Sequence, residues 1–105
     1  MISVYGVDNM IGGVLPSHRN VISGGDYYGY GVYLIGSENR VFNNYIGLDR
    51  DGEQVLGNRN GIGVYGSGNL IGGLESGSGN VISGCFRGIS VHGNDNMIQG
   101  NYIGL

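Results

Sequence analysis

The chain has 105 residues, room for one domain whose small interior has to be filled economically. Glycine supplies 24 residues and proline one, which excludes collagen-like spacing, and 40% hydrophobic content excludes a disordered linker. Five basic residues, all arginine, against eight acidic ones leave a formal charge of −3, so the surface offers no electrostatic basis for binding DNA or RNA and no nucleic-acid partner is expected.

The first element, ISVYG from Ile2, alternates inward apolar and outward residues with the two-residue period of a strand. It returns as VYLIG from Val32, IGVYG from Ile62 and ISVHG from Ile89. The single domain, 1–105, therefore divides into four coils at about 2–31, 32–61, 62–88 and 89–105. Aligning the copies predicts two inward ladders, Ile2, Val32, Ile62, Ile89 and Val4, Leu34, Val64, Val91.

Next along each coil, Ile11, Val41, Ile71 and Ile98 form a second apolar ladder, and Ile22, Ile46, Ile82 and Ile103 a third. Runs this short, punctuated by Gly and Asn, leave no space for helices of ordinary length. Three short strands per coil follow, parallel and in register with their equivalents at a spacing of about 4.8 Å. The expected fold class is all-β, a right-handed parallel β-helix, or solenoid, of four coils.

A longer repeat overlies this one. Asn9-Met-Ile-Gly-Gly13 recurs as Asn69-Leu-Ile-Gly-Gly73, and Asn20-Val-Ile-Ser-Gly24 as Asn80-Val-Ile-Ser-Gly84, both sixty residues on. Asn9, Asn39, Asn69 and Asn96 make one polar series, and Asn20, Asn44, Asn80 and Asn101 another. Asparagine tolerates turn conformations and its amide can bond the same amide one coil away, so both series are expected to be stacked ladders at the corners. Gly6, Gly36, Gly66 and Gly93 recur where a turn demands positive φ or close backbone approach.

On these residues the sequence resembles right-handed parallel β-helix proteins of the pectin-lyase-like superfamily, particularly the GIxVxGSxNxIGG and GNxIGLDxxG repeats of bacterial surface and secreted proteins. The first of these patterns stands at 61–73 as GIGVYGSGNLIGG. The resemblance implies an extracellular or cell-surface location. It says little about activity, because the superfamily holds polysaccharide lyases, glycoside hydrolases, epimerases and structural repeats alike.

Nothing in the chain supplies those activities. There is no lysine, and Arg19, Arg40, Arg50, Arg59 and Arg87 are scattered, without the carboxylate clusters a lyase or glycosidase would use. His92 takes the outward place of Tyr5, Ile35 and Tyr65, and His18 sits in the turn PSHRN, so neither reads as a catalytic base or one of a metal pair. The expectation is a protein that is not an enzyme and carries no catalytic residue or cofactor. Asp49, Asp51 and Glu53 supply the opening of a Ca²⁺ loop without the distal ligand of the full set, a minimal cation candidate beside a plain Asp-Gly turn. Cys85 stands alone, cannot form an intramolecular disulfide and reads as a buried thiol.

Two surfaces remain. Tyr27, Tyr28, Tyr30 and Tyr33, around the GGDYYGYGVY segment, form an aromatic patch able to stack on sugar rings or to shield strands. The two ends are expected to be uncapped coils, and an open coil is an adhesive strand edge. Long second turns at Val14–Arg19 and Leu74–Gly79 alternate with short ones, so a fourth coil meeting the first coil of another copy preserves the alternation. The leading expectation is a structural module that associates with itself head to tail into a filament or surface layer. The alternative is a fragment of a carbohydrate-active or glycan-binding β-helix with a polysaccharide partner. No run approaches a membrane span, and the N-terminus lacks the pattern of a signal peptide.

Overall fold

A computed structural model describes residues 1–23, 29–49, 51 and 59–104. Among the described residues the chain is all-β apart from one 3-10 turn at Pro16–His18. Its strands come in threes: β1 (Ile2–Val4), β2 (Met10–Gly12), β3 (Val21–Ile22); β4 (Tyr30–Leu34), β5 (Arg40–Phe42), β6 (Tyr45–Ile46); β7 (Asn60–Val64), β8 (Leu70–Gly72), β9 (Val81–Ile82); β10 (Arg87–Val91), β11 (Met97–Gln99), β12 (Tyr102–Ile103). Each triplet is one layer.

Equivalent strands of successive layers pair in parallel, giving three four-stranded sheets in the orders β1-β4-β7-β10, β2-β5-β8-β11 and β3-β6-β9-β12. That arrangement is consistent with a β-helix. The register joins Ile2 to Val32, Val32 to Ile62 and Ile62 to Ile89 in the first sheet. Ile11, Val41, Ile71 and Ile98 align in the second. Ile22, Ile46, Ile82 and Ile103 align in the third. All four apolar ladders stand as the repeat predicts, because a period of two along each strand fixes which side chains face inward.

These ladders are the core. Val32, Leu34, Val41, Ile46, Ile62, Val64 and Ile71, all from the two middle layers, are fully buried. Burial fades toward both outer layers, and Ile103 is 50% exposed. The first strands of the later layers open at Tyr30, Asn60 and Arg87, two residues ahead of the coil starts read from the repeat. Glycines let them do so: a side chain on Gly61 would run into Ile82, and one on Gly88 into Ile103.

The recurrent Gly36, Gly66 and Gly93 are present for close approach. None has positive φ, whereas a Cβ on each would collide with the carbonyl oxygen of the equivalent glycine one layer earlier. The left-handed position lies two residues further on, at Asp8, Glu38 and Asp95 (φ 58°) and Gly68 (φ 68°).

Candidate functional site: directional asparagine ladders and an aromatic stack

Both asparagine series stack, and both run in one direction. In the first, Asn39 Oδ1 accepts the backbone N–H of Asn9 (2.9 Å), Asn69 Oδ1 that of Asn39 (2.8 Å) and Asn96 Oδ1 that of Asn69 (2.9 Å). The Nδ2 groups of Asn39, Asn69 and Asn96 reach back to the carbonyls of Gly6, Gly36 and Gly66 at 3.0–3.1 Å. The second series repeats this: Asn44, Asn80 and Asn101 accept the N–H of Asn20, Asn44 and Asn80. Their Nδ2 groups donate to the carbonyls of Ile11, Val41 and Ile71.

The amide-to-amide bond expected from the sequence is also formed, at every step of the second series (2.9–3.1 Å) and between Asn69 and Asn96 (3.1 Å). The backbone bonds carry the direction. Each side chain presents its oxygen to the N–H of the preceding layer, so the amide satisfies a corner N–H that strand pairing leaves over. Asn39, Asn44, Asn69 and Asn80 do this fully buried, where an unpaired N–H would be costly.

Asn43 escaped the sequence reading. It stands once, beside ladder residue Asn44, at φ 61° and nearly buried. Its Nδ2 donates to the carbonyls of Gly13 (3.0 Å) and Leu15 (2.9 Å), and its Oδ1 accepts from the Arg19 guanidinium. Its backbone N–H donates to Ser78. The short corner of the second layer thereby clasps the long turns of the first and third, which also touch each other where a Cβ on Gly77 would collide with Val14. The doubled asparagine in FNN was the available signal.

Of the four patch tyrosines, Tyr27 and Tyr28 lie outside the described residues. Tyr30 and Tyr33 join two residues from later layers: ring centroids run Tyr30 to Tyr33 at 4.9 Å, Tyr33 to Tyr65 at 5.0 Å and Tyr65 to His92 at 4.4 Å, the last pair stacked. The Tyr30 and Tyr65 hydroxyls share a 3.2 Å hydrogen bond, and Tyr30 lies where Gly63 leaves the strand face bare. That hydrogen bond, then burial, raises the Tyr30 phenol above its ordinary pKa of 10.0.

Arg19, bound to Asn43, lies over the Tyr45 ring at 4.2 Å. The two edge an open groove of about 450 Å³ lined also by Glu75 and Tyr102. Of the cation candidates, Asp49 and Asp51 are described and Glu53 is not; no group of three His, Cys, Asp or Glu suited to a metal ion occurs among the described residues. His18 packs its ring against Gly13, and Cys85, expected to be buried, lies only half-buried against the core because it sits at the turn after the short strand β9. Among the described residues no helix is long and apolar enough to cross a membrane.

The chain matches no family model, no curated protein and no solved structure.

Proposed function

We propose that this chain is a non-catalytic structural module of the right-handed parallel β-helix type, resembling the pectin-lyase-like superfamily, that associates end to end with copies of itself at a cell surface or outside the cell. The right hand is the one that parallel-strand crossovers adopt almost without exception. The observation that carries the reading is the state of the outer layers. The ladders buried in the middle of the molecule continue into Val91, Ile98 and Ile103 at one face, where each is 39–50% exposed. Strand edges with exposed apolar rows are templates for further pairing. A contact between two different faces of one molecule propagates unless rotation closes it.

Light scattering on the purified chain tests this. Species of high mass that persist on dilution are the expected result, and a monodisperse 11.0 kDa monomer at every concentration would contradict it.

The groove beside Arg19 and Tyr45 favours a second reading, a glycan-binding face, since an aromatic ring flanked by a guanidinium and a carboxylate suits sugar stacking and hydroxyl recognition. Under that reading a glycan array shows retained ligands that Tyr45→Ala loses; a blank array sets it aside.

A further inference from the structure

We infer that the end-to-end contact is polar and register-specific: the last layer of one copy receives the first layer of the next, and the two asparagine ladders run across the junction unbroken. The inference rests on the self-association reading above and adds its partner face and specificity.

Every internal step of the ladders joins a backbone N–H of one layer to an Oδ1 of the following layer. At the outer layers this pattern leaves complementary halves. Among the described residues no hydrogen bond reaches the Oδ1 of Asn9 or Asn20, and the backbone N–H groups of Asn96 and Asn101 have no acceptor. For the N–H to Oδ1 bond, one face therefore offers two acceptors and the other two donors, at equivalent corner positions. Placing a first layer on a fourth layer completes both bonds. Two first layers or two last layers cannot reproduce this N–H to Oδ1 bond or the accompanying Nδ2 to carbonyl bond, so the ladder pattern favours head-to-tail over symmetric pairing.

The turns supply an independent argument. The long turns of the first and third layers meet across the short second-layer corner, with Gly77 lying against Val14. Leu74 holds the place in the third-layer turn that Val14 holds in the first. Val14 is half-buried, whereas Leu74 is 88% exposed. The fourth layer again has a short corner, at Gly100, whose left-handed φ of 65° matches Asn43 at 61°. A second copy stacked in this register brings its first-layer turn onto Leu74 just as Gly77 lies on Val14.

Two variants separate the register from self-association itself. Asn9→Leu with Asn20→Leu removes the acceptors from exposed positions, at the loss of the Asn20 Nδ2 bond to Asn44, while keeping the backbone donations to the second layer. Val91→Lys with Ile103→Lys blocks the opposite face, the lysine stems still covering Val64 and Ile82. Sedimentation velocity is expected to show each variant at least ten-fold weaker in self-association than the parent, and their equimolar mixture forming a one-to-one dimer that grows no further. An acceptor-free variant that associates as tightly as the parent overturns the ladder register and leaves self-association standing. The same variant dimerising alone overturns the polarity. A parent that stays monomeric overturns the reading beneath both. Amide exchange on the unaltered chain tests the same junction without substitution: the N–H groups of Asn96 and Asn101 should exchange at least ten-fold more slowly in the assembled protein than in dilute solution, and unchanged rates overturn the inference.

Discussion

Asparagine does two jobs in this chain that glycine or a hydrophobe could not combine. It closes a corner and also satisfies a backbone N–H that lies outside the strand ladders. The Asn80 side chain makes four hydrogen bonds while fully buried: its Oδ1 accepts from the Asn44 N–H and Nδ2, and its Nδ2 donates to the Val41 carbonyl and Asn101 Oδ1. Replacing it with alanine orphans several of these groups and is expected to cost about 2–4 kcal/mol in urea unfolding. Asn101→Ala, at the half-exposed outer layer, should cost roughly 1 kcal/mol, because removing this outermost side chain opens the Asn80 and Ile71 groups it abandons to water. Equal losses at the two positions would contradict the ladder account. Backbone conformation gives a second contrast at this scale. Glu38 sits at φ 58° where the next layer has Gly68 at φ 68°. Left-handed backbone disfavours a side chain, so Glu38→Gly is expected to stabilise by up to about 1 kcal/mol and Gly68→Ala to destabilise by a similar amount, read from denaturation midpoints.

Among the elements, the strands were legible in the sequence and the contacts between layers only partly so. Each inward position recurs four times, as with Ile11, Val41, Ile71 and Ile98, and a recurring position announces its own register. The asparagine series were visible for the same reason. Their direction was not, since it depends on which atom of the amide faces the earlier layer. Asn43 went unread because it has no counterpart in the other layers: its place is Gly100 in the fourth. The reach of the aromatic patch beyond Tyr30 and Tyr33 to Tyr65 and His92 also escaped, because Tyr30 meets Tyr65 across a bare Gly63, and an absent side chain leaves no mark in a pattern of side chains. That stack has a pH signature. With its phenol raised above 10.0 in the fold, Tyr30 contributes stability that is fully present below pH 10 and is lost as pH climbs through the raised value. Unfolding measured at pH 9 and pH 11 should therefore show a smaller alkaline loss in Tyr30→Phe than in the parent. Identical losses would mean that the hydroxyl pair contributes nothing.

For the whole molecule, the four layers make a short stack whose shortest extent is 19 Å. Its two middle layers are sealed and its two outer layers are not, so the free energy available from burying Val91, Ile98 and Ile103 is still unrealised in a single copy. Apolar rows alone would favour any pairing of ends. On the end-to-end proposal, the one-way asparagine ladders and the alternation of long and short turns favour one pairing, fourth layer to first, and a contact of that kind would have no built-in stopping point. The chemistry along the sides is sparse by comparison, with charge balanced near −3 and no cluster of metal-ligating side chains among the described residues.

Electron micrographs of the concentrated protein test the central claim most directly. The account predicts polar fibres with an axial subunit repeat of about 19 Å, four layers at about 4.8 Å each. A field of separate single-copy particles at every concentration, or fibres whose successive subunits reverse direction, would contradict it.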